Sequence, residues 1–204
     1  MLNDSRQQTP LAGLTGGTRV FELGSPSLVA LTEVPFTELV NLRGDPENAD
    51  LTRAVRNTIG ITLTTEPNTT TENDHYCAMW LSPDEWMIRR KGSGVGDLAR
   101  HLEMALQGIF CAVTDQSSAY SVLQLSGPKA RSVLSKGCPL DLHPRVFGAG
   151  QCAQSHYYKT SVLLRGLDNG AGDRWEIIVR RSFADYAVRM LVDGMWEYTE
   201  GRNR

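Results

Sequence analysis

No CxxC pair occurs in this 204-residue chain, whose four cysteines fall at 77, 111, 138 and 152. That spacing excludes the paired-cysteine zinc sites and the redox dithiol motif. The four histidines, at 75, 101, 143 and 156, form no HxH, HExxH or HxxE set, so the common metal-ligand spacings are missing as well. Charge of one sign is scarce too: 21 Lys and Arg stand against 23 Asp and Glu, a formal net charge of -2. With a pI near 6.1, the chain has no electrostatic footprint for nucleic acid or an anionic membrane surface. No apolar run approaches the roughly 18 residues of a membrane span. The opening MLNDSRQQTPLAGLTGG lacks the basic start and apolar stretch of a secretory signal. The expectation is a cytoplasmic protein with neither nucleic acid nor membrane as partner, its cysteines free and mostly buried. At this length a hydrophobic core forms without metal or disulfide staples.

What is present reads as alternating strands and helices. Residues 1–15 are polar and mixed, and are expected to be a mobile tail. Strands are expected at 28–34 and 36–42, followed by a helix with Asp45 as cap, Pro46 in its first turn and Gly60 as its left-handed stop. Leu51, Ala54, Val55 and Ile59 mark its buried face. The stretch TTEPNTTTEND, 64–74, is too polar to pack and is expected to be a loop. YCAMW and EWMIRR flank a turn at Ser82, Pro83 and Asp84 as a hairpin, and a helix with Leu98, Leu102, Ala105 and Leu106 inward ends at Gly108.

The second half repeats this grammar. IFCAVTD and YSVLQL lead into a short helix with Ala130, Val133 and Leu134 inward, and strands follow near His156 and over 161–165. In RWEIIVRR, Trp175, Ile177 and Val179 alternate as in a half-buried strand. A last helix, capped by Ser182, places Phe183, Tyr186, Ala187, Met190 and Leu191 on one face and ends near Gly194. LRGDPENADLTRAV parallels LSGPKARSVL, and EWMIRR parallels WEIIVRR, which suggests an internal repeat. The fold class is therefore α+β: two pseudo-repeated antiparallel sheet-plus-helix units, 16–108 and 109–204, packed as one domain.

Two glycine-rich stretches invite a nucleotide reading and both fail it. KGSGVGD, 91–97, puts Asp97 where a third glycine would face a phosphate, and GAGQCA, 148–153, opens into a β-favouring run where a helix is required. There is no Walker A lysine loop. Trp80, Trp86 and Trp175 sit in strand positions suited to core anchors. The stretch LSKGCPLDLHP, 134–144, is the most reactive in residue type, with Lys136, Cys138, Asp141 and His143 close together. Cys138 falls just past a helix C-terminus, where the helix dipole disfavours a thiolate, whereas a catalytic thiol wants a helix N-terminus or a close cation. Pro139 and Pro144 stiffen the loop, Leu140 and Leu142 are expected to plug the core, and Asp141 is expected to bond local amides. No catalytic, cofactor-binding or metal-ligating residue is assigned.

LSGPKARSVLSKGCPLDLHP also resembles the sequence carried by gamma subunits of heterotetrameric sarcosine oxidase. NLRGDP at 41–46, WLSPDEWMI at 80–88, GQCAQS at 150–155 and RRSFADY at 180–186 resemble that family's patterns in the same order. The resemblance implies an aminomethyltransferase-like fold, related to the folate-binding T-protein of glycine cleavage. It implies a complex with alpha, beta and delta partners that oxidises sarcosine with oxygen to glycine and peroxide, passing the one-carbon unit to tetrahydrofolate. FAD, FMN, NAD and tetrahydrofolate are implied on partner subunits, zinc on delta, and none on this chain. A relative of the fold, an iron-sulfur assembly factor, also carries Lys-Gly-Cys, but Pro139 to His143 departs from its pattern. The rival expectations are a free-standing folate-dependent aminomethyltransferase-like protein or assembly factor using Cys138, or a gamma subunit of a sister complex acting on another N-methyl amino acid.

Overall fold

The computed structural model describes residues 8–14, 22–25, 27–92, 94, 96–167 and 174–199. Two antiparallel sheets lie face to face, each with two helices on its outer side. The first sheet contains β3 (Leu39–Gly44), β4 (Thr70–Glu72), β5 (Tyr76–Ser82), β6 (Glu85–Arg90) and β7 (Cys111–Asp115), in the order β4-β5-β6-β3-β7. The second has the order β9-β10-β11-β8-β2-β1, built from β1 (Glu22–Ser25), β2 (Val29–Val34), β8 (Tyr120–Ser126), β9 (Cys152–Tyr157), β10 (Thr160–Leu167) and β11 (Arg174–Arg180). Helices α1 (Ala49–Ile59) and α2 (Leu98–Ala105) cover the first sheet, and α3 (Ala130–Ser135) and α4 (Ala184–Thr199) cover the second.

The internal repeat is a matter of topology. β3-α1-β4-β5-β6-α2 corresponds to β8-α3-β9-β10-β11-α4, and β7 occupies in the first sheet the place that β2 occupies in the second. The halves therefore exchange strands: β2, from 16–108, pairs with β8, while β7, from 109–204, pairs with β3. A cut at residue 108 does not separate the sheets. The two central connections, β2 to β3 and β7 to β8, each cross between them and tie the halves into one unit.

Several local expectations are corrected. Asn48, not Asp45, caps α1: its Oδ1 accepts the Asp50 and Leu51 N–H at 3.0 and 3.2 Å. Asp45 instead makes a turn, its Oδ1 accepting from Glu47 N at 2.9 Å. Both are good caps, and the choice fell to the residue that starts the buried face of Leu51, Val55 and Ile59. Gly60 takes the left-handed conformation at φ 70° as expected. Of the segment read as a tail, Leu11 is fully buried in the core beneath the second sheet, and residues 1–7 and 15 lie outside the described residues.

The 64–74 stretch is not a free loop. It contains β4, and its threonines satisfy one another and the backbone: Thr64 and Thr69 hydroxyls lie 2.6 Å apart and Thr71 donates to Thr62 O at 2.7 Å. Trp86 Nε1 donates to Thr64 O at 2.7 Å, fastening the segment to the sheet. Hydroxyl and backbone hydrogen bonds do here what apolar burial does elsewhere. Ala105 is exposed. In α4 the buried face is Ala184, Ala187, Val188, Leu191 and Met195, while Phe183 is exposed in a preceding 3-10 turn. Gly194 does not end α4. An added Cβ there would stand 3.2 Å from Val133 Cγ1 and 3.3 Å from Tyr157 Oη, so the glycine lets two elements approach closely.

Candidate functional site

The Lys-Gly-Cys loop follows α3, whose C-terminal carbonyls it satisfies: Gly137 N and Cys138 N both donate to Leu134 O, at 3.1 and 2.9 Å. Gly137 has no room for a side chain, since a Cβ would fall 2.5 Å from Tyr158 Cδ2. Lys136 Nζ donates to Gly194 O at 2.6 Å and pairs with Glu197, which turns the cation toward α4 and away from the thiol. Cys138 is buried, with Sγ 3.8 Å from Ser155 Oγ, a weak thiol contact. Asp141 Oδ1 accepts from His143 N at 2.9 Å, and His143 Nδ1 accepts from Arg145 N at 3.2 Å. The imidazole nitrogen nearest the chain is thus engaged by backbone, and thiol and imidazole are not brought together. Leu142 is buried in the core under the second sheet, as expected, but Leu140 only packs against its edge.

The two glycine-rich turns do not fit a dinucleotide. The carboxylate of Glu38 sits at the start of α2, where Oε1 accepts from Leu98 N at 3.0 Å. An added Cβ on Gly96 would fall 2.7 Å from Glu38 Oε2. A phosphate there would meet a buried negative charge already using the helix amide. In the second turn Gly148 N donates to Gln151 Oε1 at 2.7 Å, and the chain continues into strand β9.

Sequence reading missed the inter-sheet layer, where the unusual chemistry lies. β11 is buried on both faces, not half-buried: Trp175, Ile177 and Val179 meet the helices, while Glu176 and Ile178 face the other sheet. On four strands an apolar residue and a polar one share this inward face two positions apart: Met87 and Arg89 on β6, Val122 and Gln124 on β8, Leu163 and Arg165 on β10, Ile178 and Glu176 on β11. One half of the layer is therefore apolar, with Leu39, Met79, Met87, Val122, Leu163 and Ile178 in contact. The other half is ionic. Register places Cys152, Arg165, Glu176 and Gln124 in one row across the second sheet, and Glu72, Cys77 and Arg89 in a facing row on the first.

Arg89, Arg165 and Glu176 are 2%, 3% and 1% exposed. Glu176 is shared by two guanidiniums, with Arg89 Nη1 at 3.4 Å and Arg165 Nη1 at 3.7 Å. Arg165 also pairs with Glu72, which holds Lys91 Nζ at 2.7 Å. Burial pushes the Cys77 thiol up to about 12 and Cys152 up to about 11, so neither is a nucleophile. Burial alone acts to raise the Glu72 carboxyl, but the Lys91 hydrogen bond and the charges of Arg165 and Lys91 outweigh it and leave it below its ordinary value. The signal that could have found this layer was a charged residue in phase with core positions on strands already rich in apolar residues. Among the described residues no group of three or more His, Cys, Asp or Glu could hold a metal ion. Nor is any described helix long and apolar enough to cross a membrane.

This architecture, two facing antiparallel sheets with exchanged strands and outer helices, is the fold class of the glycine-cleavage aminomethyltransferases. The aminomethyltransferase T of Bartonella henselae superposes with a TM-score of 0.65 at 13% identity, over 91% of this chain and 57% of that one. Within that class the chain belongs to the sarcosine oxidase gamma subunit family, whose model matches residues 43–197. The sarcosine oxidase gamma subunit of Corynebacterium sp. (strain U-96) is 33% identical over 199 residues, 96% of this chain and 94% of the relative. Its counterpart in an Arthrobacter species is 35% identical over 172 residues, 83% of this chain and 81% of the relative. The structure of heterotetrameric sarcosine oxidase from Corynebacterium sp. U-96, in complex with pyrrole 2-carboxylate, contains a chain that matches with a TM-score of 0.84. That match has 31% identity over 97% of this chain and 99% of the other.

Proposed function

We propose that this chain is the gamma subunit of a cytoplasmic heterotetrameric complex, assembled with alpha, beta and delta partners, that oxidises sarcosine to glycine with oxygen and passes the one-carbon unit to tetrahydrofolate. Its part is structural. Catalysis, FAD, FMN, NAD and tetrahydrofolate belong to the partner subunits, and no residue of this chain takes part in bond making. The observation that carries this reading is the state of the Lys-Gly-Cys loop: Lys136, Asp141 and His143 are engaged by backbone or by α4, and Cys138 is packed beside Ser155. The near end-to-end agreement with gamma subunits supports the assembly role.

Native purification followed by identification of co-purifying subunits tests it. Stoichiometric recovery with a flavin-bearing oxidase and a small cysteine-rich subunit is the expected result, and a chain that purifies alone contradicts it. The isolated chain is expected to be colourless, and calorimetry with tetrahydrofolate to show no binding tighter than millimolar. A micromolar constant, about -8 kcal/mol, would favour a folate-dependent protein acting on its own.

A further inference from the structure

The ionic half of the inter-sheet layer opens into a cleft of about 400 Å³, lined by Glu72, Arg89, Lys91, Arg165, Arg174 and Glu176 among others. Of its charged lining residues among those described four are cationic and two anionic, so the described lining carries two positive charges in excess. That excess sits in an unfavourable place. Arg89 and Arg165 are almost wholly buried, yet Arg89 Nε and Nη2 and Arg165 Nε have no hydrogen-bond partner among the described residues. Glu176 Oε1, the Glu176 oxygen that faces Arg165, likewise lacks a hydrogen bond among the described residues, its guanidinium neighbour standing off at 3.7 Å. Arg174, at the mouth, donates to Gln124 Oε1 at 2.9 Å and has no carboxylate partner among the described residues. A buried guanidinium with orphan N–H groups is costly, and proteins ordinarily complete it with a carboxylate or water.

A purely structural network would match its charges and place its oxygens on the donors. Among the described residues this one leaves two cations unmatched beside a cavity of ligand size. We infer that the cleft between the two sheets binds a small dicarboxylate. One carboxylate reaches Arg89 and Arg165 at the floor, the other reaches Arg174 and Lys91 at the mouth, and the hydrocarbon between them lies along the β2 and β10 residues Val34 and Leu167. Planar guanidinium forks suit carboxylates, and two such forks at different depths select a molecule with two of them. The site would add to the complex a means of sensing an acidic metabolite, independent of the reaction carried by other chains.

The test is a thermal-shift and calorimetric titration of the full chain with glutarate, with acetate, glutaramide and sulfate as comparison probes. At tenfold over its dissociation constant glutarate is expected to raise the melting temperature by about 3 °C. Glutaramide, which has the shape without the charge, is expected to give no shift, and acetate a smaller one than glutarate at equal concentration. Arg174→Gln, at the half-buried mouth, is expected to fold normally and to weaken glutarate binding by roughly tenfold or more. Arg89→Lys keeps the buried charge but loses the fork, and is expected to weaken it as well. The proposal is overturned if glutarate shifts neither heat signal nor melting temperature. It is equally overturned if sulfate reproduces the shift at the same concentration, or if Arg174→Gln binds as the parent does.

Discussion

The loop after α3 and the layer between the sheets invert what their residue types suggest. The loop brings a thiol, a carboxylate, an imidazole and an amine within a few positions, yet each is turned to backbone, to α4 or to a serine. The inter-sheet layer has neither a catalytic spacing nor an accessible nucleophile, yet it holds three nearly inaccessible charges and several N–H groups without partners. Reactive residue types are thus a weaker guide to chemistry than unmet hydrogen-bonding capacity. A loop can use carboxylate and imidazole merely to shape itself, whereas a buried guanidinium has to be answered by something.

Four stability changes separate the two regions, and the inter-sheet layer should show the largest. Glu176→Leu removes the anion shared by Arg89 and Arg165 and is expected to cost about 3 to 5 kcal/mol, because buried Arg89 loses its carboxylate partner while Arg165 is left with Glu72 alone. Urea unfolding of the full chain measures it, and a loss below about 1 kcal/mol would mean that the charges are solvated and the layer looser than described. In the loop, Leu142→Ala is expected to cost about 2 to 5 kcal/mol. Leu140→Ala should cost distinctly less, because Leu140 is only partly buried. Cys138→Ser is expected to cost about 1 kcal/mol, at the low end for a buried hydroxyl, since Ser155 stands by as a partner.

The acid limb of stability sharpens the contrast further. Glu72 has a folded pKa below its ordinary value. Its contribution is therefore fully present above the unfolded carboxylate pKa of about 4.3 and is lost as pH falls through the lower folded value. In Glu72→Gln the stability profile below that pH is expected to be flatter than in the parent, as read from melting temperature against pH. The smallest effect is chemical. At pH 8 iodoacetamide is expected to leave Cys77 and Cys152 unmodified in the folded chain, because burial keeps both thiols protonated. Mass spectrometry of the alkylated peptides reads this, and rapid labelling of Cys77 would place the ionic row in solvent.

Much of the fold was legible because its signals are local. The hairpin at Ser82 to Asp84, the face of α1 and the inward Ala130, Val133 and Leu134 follow from periodicity and turn chemistry. What escaped depends on distant partners. The exchange of β2 and β7 between sheets cannot be read from either strand, and the ordering of the segment around β4 depends on threonine hydroxyls finding backbone acceptors. In α4 the pattern of large apolar residues points to Phe183 and Tyr186 as core, while small Ala184 and Ala187 form the contact. The loop's place beyond a helix end is legible from the punctuation of α3. The ionic layer is not, because the alternation in RWEIIVRR points Glu176 to an exposed face that β11 does not have.

The most direct test of the account is the turnover of the assembled complex carrying Cys138→Ser together with His143→Ala, measured beside its melting temperature and subunit stoichiometry. If the loop is structure, turnover stays within about twofold of the parent, and any deficit appears as a lower melting temperature. A hundredfold loss of turnover at unchanged melting temperature and stoichiometry, about 2.7 kcal/mol of transition-state stabilisation, would make the thiol and imidazole a working pair and contradict the structural reading.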